Sequence, residues 1–308
     1  MSGILVPKSS STSIASQAKT CAVHNGYHEV VQFSFVSQQM LDLFPNNATP
    51  IEIHNPIHSE FGFMRTNVLQ SLVMAAQYNF QRQINDLKLF EVGESFQLID
   101  GKVQEQTELA AICIGNANKG LHNSNTSVDY YDMQRVAINV LAHLGISQVS
   151  IAKSHHPALH PKQSSCIIHL NNVVGEIGML HPTTQNTLGL PSAGVILIYL
   201  DKLIVQDSKI ISPPSKYPSI TRDITLTVLD TLQVDEIDSA INQAEVAYLA
   251  KYIVSDIYQQ EGDSSSKSIT WSFTFKSDEK TLTDKEINSS VSQIRKAMRP
   301  FEIGSTDQ

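Results

Sequence analysis

Three groups of residues could do chemistry by type and spacing. The stretch "SHHPALHP" sets His155, His156 and His160 close together, and histidine is a common zinc ligand. Pro157 and Pro161 deny that stretch a regular helix, and no cysteine or paired carboxylate lies nearby, so it reads as a structural loop and no metal ligand is assigned. His160 and His181, each followed by proline, read as buried turn residues. Phosphate-cradling glycine patterns are absent: there is no GxxxxGK[ST] or GxGxxG, and "IGNANKG" spaces its glycines as a loop does. No GxSxG occurs, so "ESF" and "HSE" are isolated combinations of reactive residue types. Cys21, Cys113 and Cys166 lie far apart and outside any CxxC, which predicts buried thiols in a reducing compartment.

The arginines say more. They are Arg65, Arg82, Arg135, Arg222, Arg295 and Arg299. Only three precede the domain boundary expected near Ser212, in a segment with twelve Lys+Arg and fifteen Asp+Glu. Stabilising a transferring phosphoryl or adenylyl group takes several convergent cations, so no catalytic residue is assigned. In "MRT", Arg65 is either a remnant of a substrate-binding turn or, the stronger reading, the partner of a neighbouring carboxylate or subunit. The net charge of −8 argues against a wholesale polyanion-binding surface but leaves room for a local basic patch.

These residues must be positioned by a chain of 308 residues, long enough for two cores, with 41% hydrophobic and 17% charged residues. The longest apolar runs, such as "GVILIYL" from Gly194, are strand-sized, so no membrane span is expected. The opening "MSGILVPKSSSTSIASQ" reads as a cut or start site and a Ser/Thr-rich leader. A helix with Ile14, Ala18, Cys21 and Ala22 on one face stops at Gly26 and leads into a strand, "EVVQFSFV". Ser37 caps a short helix "QQMLDLF", and "TPIEIHNP" reads as a strand. Leu69, Leu72, Val73, Ala76 and Phe80 share the face of a second long helix. "DLKLFEVGESFQLID" reads as a strand pair or bent hairpin, and "ELAAICIGN" as another strand. Asp129 caps a helix with the stripe Met133, Val136, Ala137, Val140, Leu141 and Leu144, which Gly145 ends. A hairpin turning at Asn171–Asn172 and a central strand "GVILIYLD" complete an α+β domain around a largely antiparallel sheet.

The prolines of "SKIISPPSKYP" make a stiff connector, which divides the chain into 1–212 and 213–308. The second segment reads β-α-β-β-α, a ferredoxin-like order, with a Thr283/Glu286 capping box on its last helix. Trp271, Phe273 and Phe275 read either as base-stacking platforms or, as such an apolar row usually does, as residues that face the helices. Thr225, Thr227, Thr270, Ser272, Thr274 and Lys276 are then left on an open sheet face.

Several stretches, in order, resemble one family. "NGYHEVVQFSFV", "NPIHSEFGFMRTNVLQSLVMAAQYNFQRQ", "LKLFEVGESF", "VDYYDMQRVAINVLAHLG" and "PALHPKQSS" are similar to the beta subunit of bacterial phenylalanyl-tRNA synthetase. "SKYPSITRDITLTV", "VSDIYQQEG" and "KTLTDKEIN" resemble that subunit's C-terminal ferredoxin-fold anticodon-binding domain, and the likeness runs from about Ile14 to about Met298. The resemblance implies a class II synthetase-like module that has lost its active site and supports a catalytic alpha subunit in a heterotetramer of two alpha and two beta chains. The opening helix and strand would be the counterpart of the class II dimer-interface motif. It further implies a ferredoxin-like domain touching the anticodon region of phenylalanine tRNA, and a cytoplasmic setting. ATP and magnesium would serve the holoenzyme, with no cofactor on this chain. The RNA contacts expected are Lys216, Arg222, Lys267 and Lys276, with Tyr258 as a stacking residue. For Lys216 and Arg222, a solvated charge or a local Arg222–Asp223 pair is an equal alternative.

The chain departs from the family in places. "LFEVGESF" carries Glu91 and Glu94 where the class II pattern has an arginine, and no glycine-rich segment ends in arginine. Gln259 and Gln260 follow Tyr258 where many relatives have Arg and Gly. The N-terminal tRNA-binding and editing domains have no counterpart here, so the chain reads as a C-terminal fragment. A regulatory or small-molecule-binding module with a ferredoxin-like domain is the competing reading, since fold does not fix function.

Overall fold

A computed structural model describes residues 10–46, 48–116, 126–146, 148–204, 215–232, 234–259 and 265–303. It forms two compact units, Met1–Lys209 and Ile210–Gln308. Ser212 lies outside the described residues, as do most of "IGNANKG" and the first nine positions.

The larger unit runs α1 (Ser10–His24), β1 (His28–Glu29), β2 (Phe35–Val36), α2 (Gln38–Leu43), β3 (Phe63–Met64), α3 (Val68–Phe80), β4 (Leu87–Ile99), β5 (Lys102–Ile114) and α4 (Tyr130–His143). Then come β6 (Ser150–Lys153), β7 (Leu159–His169), β8 (Asn172–Leu180), α5 (Pro182–Leu188) and β9 (Ala193–Tyr199). Seven strands form one sheet in the order β1-β4-β5-β9-β8-β7-β6, with only the β1–β4 pairing parallel.

The uninterrupted apolar runs in β5 and β9 follow from two cores, one on each face. Leu109, Ala111 and Cys113 of β5 pack with α1 and α4, while Ala110, Ile112 and Ile114 pack with α2, α3 and α5. Ile196 and Ile198 of β9 join the first core, and Val195 and Leu197 the second. A strand covered on both sides has no need of a polar face. β9 is the middle strand, as its composition predicts.

The helices also follow their patterns. Asn67 caps α3 in a capping box with Gln70, and Asp129 caps α4 in one with Asp132. Gly145, at φ 87°, turns the chain out after α4, a conformation that costs a side-chain-bearing residue more. The apolar stripe expected on α4 is buried throughout.

Several strands differ from their prediction. "EVVQFSFV" is not one strand. Its first residue closes β1 and its end forms β2 against β3, while Val31 and Phe33 between them are 84% and 70% exposed. Alternating apolar residues raised the expectation, but here no layer covers them. "TPIEIHNP" forms only isolated bridges, Thr49 to Leu98 and Glu52 to Phe63, because its backbone bonds are shared between two different partners. "DLKLFEVGESFQLID" contains a single long strand, β4, and the hairpin turn comes at Asp100–Gly101, after it. The β7–β8 turn falls one residue early, at Leu170–Asn171, both at positive φ, while Asn172 pairs with His169. Of the three thiols, Cys21 and Cys113 are buried and Cys166 is only partly so.

The smaller unit runs β10 (Ile220–Leu229), α6 (Val234–Gln243), β11 (Leu249–Tyr258), β12 (Ser266–Phe275) and α7 (Asp284–Met298), the expected β-α-β-β-α. Its sheet is antiparallel in the order β10-β12-β11, so β10 and β11 are both edges. Ile224, Leu226 and Val228 alternate inward with Trp271, Phe273 and Phe275 against Ile237, Ile241, Ile287 and Ile294 of the helices. The aromatic row is therefore core, with Trp271 fully buried. β11 slips register twice, between Leu249 and Lys251 and between Val254 and Asp256. At the far end of the unit the N–H of Ile303 donates to the carbonyl of Thr227 at 2.9 Å.

Candidate nucleic-acid interface

In the larger unit three arginines could have met a nucleotide, and each has a neighbouring residue against it. Arg65 is 2% exposed. Its Nη1 donates to Glu91 Oε1 at 2.8 Å and Ser71 Oγ at 2.7 Å, and its Nε donates to the Glu94 carbonyl at 2.8 Å. Gly93 leaves the room, since a Cβ there would collide with Arg65 Nη2. Arg82 lies over the Tyr78 ring, 3.3 Å from its centroid, and Arg135 sits 3.8 Å from Asp132. The pairing expected for Arg65 is thus present, and its guanidinium does not fit the role of a nucleotide-phosphate ligand. Composition alone missed Glu108, 1% exposed, which accepts from Val68 N at 2.8 Å and Ser95 Oγ at 2.7 Å. Burial pushes its carboxyl up to about 7, against the pull of those donors and of Arg65.

The histidines serve backbone geometry. His156, His160 and His181 each accept through Nδ1 from the N–H two residues on, as His58 does. His160 lies within β7 and His181 caps α5, and both are half-buried, not buried turn residues as expected. Among the described residues no group of three His, Cys, Asp or Glu side chains is placed to share a metal. Among them also, no helix is long and apolar enough to cross a membrane.

The smaller unit presents the open face. Thr225 and Thr270 hydroxyls meet at 2.8 Å and Thr227 and Ser268 at 3.0 Å, because these are directly opposed cross-strand pairs. Ser272 donates to Asp223 on the same side. The result is a ridged surface of hydroxyls with acidic groups among them.

The five expected contact residues fall into two groups at opposite ends of this sheet. Ser215 Oγ donates to the Ser277 carbonyl at 2.9 Å, which brings the neighbouring Lys216 and Lys276 to one end. Lys276 lies 3.5 Å from Asp278, and Lys216 is exposed. Arg222 is at that end too, but it opposes Phe273 and so shares the helix side, where it sits 3.4 Å from Asp284 instead of pairing with Asp223. At the other end, Tyr258 opposes Ser268 on the open side and is 62% exposed. Lys267 opposes Val228, and its Nζ donates to the Asp230 carbonyl at 2.7 Å and the Leu232 carbonyl at 3.4 Å, holding the turn into α6. Eight residues of β12 separate the two ends, about 26 Å at strand rise.

Sequence reasoning passed over a third cation group. Arg295, Lys296 and Arg299, at the end of α7, line a groove of about 300 Å³ against Ile224, Thr225 and Leu226 of β10, together with Glu302. The run "RKAMR" was the available signal, but its nearness to β10 depends on tertiary packing.

Comparison with known proteins sets the class first. The pyrrolysyl tRNA synthetase PylSc of Desulfitobacterium hafniense superposes with a TM-score of 0.50 at 11% identity, covering 62% of this chain and 64% of that one. That likeness is one of fold, and the larger unit is class II synthetase-like. Residues 3–201 match the family described as phenylalanyl tRNA synthetase beta chain CLM domain, and residues 215–302 match the ferredoxin-fold anticodon binding domain. The chain belongs to the phenylalanyl tRNA synthetase beta chain family. The phenylalanine–tRNA ligase beta subunit of Legionella pneumophila (strain Paris) is 32% identical over 92% of this chain, and that of Coxiella burnetii 30% identical over 94%. The chain spans little more than a third of their length, 36% and 37%.

Proposed function

We propose that this chain is a non-catalytic part of a phenylalanine–tRNA ligase beta subunit. In this reading the larger unit supports a catalytic alpha subunit, within a heterotetramer of two alpha and two beta chains in the cytoplasm. The smaller unit touches the anticodon region of phenylalanine tRNA. ATP and magnesium serve the alpha chain, and the inward pairing of Arg65 supports keeping them off this one. The observation that carries the RNA reading is the open sheet face of the smaller unit, where opposed hydroxyls are flanked by Lys216 and Lys276 at one end and Tyr258 at the other. Hydroxyls and amines offer hydrogen bonds to bases, 2′-hydroxyls and phosphates, and an exposed tyrosine offers a stacking surface.

Titrating an anticodon stem-loop at several salt concentrations tests this. Replacing Lys216 and Lys276 together with Ala should flatten the salt dependence by about one unit for each phosphate no longer neutralised. Tyr258→Ala should cost roughly 1–3 kcal/mol of affinity. Unchanged binding in both variants would remove the RNA reading of this face. The purified chain should also give no pyrophosphate exchange with phenylalanine and ATP above buffer, and turnover there would overturn the non-catalytic assignment.

A further inference from the structure

The groove between β10 and the end of α7 has a composition that the open face lacks. Residues 213–308 carry ten Lys+Arg against fifteen Asp+Glu, yet three of those cations fall within five positions, at Arg295, Lys296 and Arg299. All three line the one groove. Four other cations of the unit are held by acids: Arg222 by Asp284, Lys267 by Asp230, Lys276 by Asp278 and Lys280 by Glu286. Among the described residues, Arg295 and Lys296 have no such ion pair, and both are exposed. Glu302 is the one acid among the lining residues, which leaves them with an excess of positive charge.

The floor adds a second element. The Thr227 carbonyl accepts from Ile303, so at this register the backbone groups of Thr227, and of Thr225 two residues back, point away from β12 toward the groove side. An outward amide beside three cations is the donor set that a phosphate oxygen takes. The groove is also open, so it suits a chain of anions passing through better than a small molecule that must be enclosed.

We propose that Arg295, Lys296 and Arg299 form a phosphodiester-binding groove along the β10 edge, which holds the backbone of the RNA whose bases or riboses meet the open face. This inference rests on the RNA reading above and moves its electrostatic anchor from Arg222 and Lys267, both engaged within the fold, to Arg295 and Lys296, with Arg299 beside them. The competing account is that these cations only complement the negative end of the α7 dipole. That account predicts an effect on folding and none on RNA.

The test uses the full chain, an anticodon stem-loop, and the triple variant Arg295→Gln, Lys296→Gln, Arg299→Gln. A second variant, Arg295→Lys with Arg299→Lys, keeps the charge. At about 0.7 units of salt slope per single-strand phosphate, leaving three phosphates unneutralised should flatten the slope by about two units. The advantage of binding at 50 mM over 200 mM salt should then shrink about 16-fold. The lysine variant should keep the wild-type slope, and thermal unfolding of each variant shows whether it is folded. A folded triple variant with the wild-type slope overturns the groove and leaves the open-face reading standing. If the wild-type chain binds no stem-loop at any salt, both proposals fall together. If the triple variant does not fold, the single variants Lys296→Gln and Arg295→Gln decide, each expected to flatten the slope by about 0.7 units.

Discussion

In the larger unit Arg65, Glu91 and Glu108 are 2%, 3% and 1% exposed, whereas among the described residues of the smaller unit no Lys, Arg, Asp or Glu is buried. The two units place similar residue types in opposite environments. Charges enclosed by a core must be answered inside it, so they specify structure and respond to pH. Charges left in water cost little to keep, are screened by salt, and stay available to an outside partner. One chain can thus hold a region whose Arg65 is turned inward onto a carboxylate and another that keeps its cations outside.

The largest effect should come from breaking the buried pair. Arg65→Met leaves the Glu91 carboxylate enclosed without its cation and should cost about 3–5 kcal/mol. Denaturant unfolding of the chain measures this, and a loss under about 1 kcal/mol would show that the enclosed pair is not what holds α3 to β4.

Glu108 gives the next effect. Its folded carboxyl titrates at about 7 against an ordinary 4.5, so the folded state holds the proton more tightly. The stability it contributes is fully present below pH 4.5 and is lost as the pH rises through about 7, a swing of about 3 kcal/mol. Glu108→Gln has no carboxyl to titrate. Its stability should fall less than wild type between pH 5 and 7.5, and parallel pH profiles for the two proteins would refute the assignment.

The smallest effect belongs to the surface of the smaller unit. Glu286 reaches back to the Thr283 N–H at 2.9 Å and to its hydroxyl at 2.8 Å, closing the first turn of α7. With Lys280 beside it, the Glu286 carboxyl falls to about 2, so its contribution stands above pH 4.5 and is lost only as the pH drops through about 2. Thr283→Ala should therefore cost about 1 kcal/mol with no dependence on pH between 5 and 8. A pH-dependent loss in that range would mean that the two units are less distinct in their electrostatics than their burial implies.

The sequence was most legible where one local rule and the tertiary packing agree. The α4 stripe, the Asp129 and Thr283 caps and the inward aromatic row of β12 all follow from periodicity and capping. It was least legible where long-range pairing decides. Val31 and Phe33 alternate like strand residues, but the sheet takes only His28–Glu29 from that stretch. Leu170 at φ 48° occupies a turn position that asparagine would have marked, which shifted the expected hairpin by one residue. At the candidate interface, strand parity could have warned that Arg222 and Lys267 share a side with the core, since each lies two positions from a buried residue, Ile224 and Ile269. That α7 ends against β10, bringing Arg295, Lys296 and Arg299 into one groove, is a tertiary fact that spacing along a single helix does not contain.

The register slip between Val254 and Asp256 has a consequence for how this protein behaves in concentrated solution. β11 is a free edge with Ile253, Val254 and Ile257 at 59%, 38% and 57% exposure, the composition of a strand onto which a second copy could add. A bulge bends and over-twists such an edge, and Lys251 and Asp256 on either side of Ile253 put charge along it. Fibre growth needs a straight, flat, uncharged template. The slip denies it one, so the same irregularity that interrupts the sheet works against pairing of a second strand along an exposed apolar border.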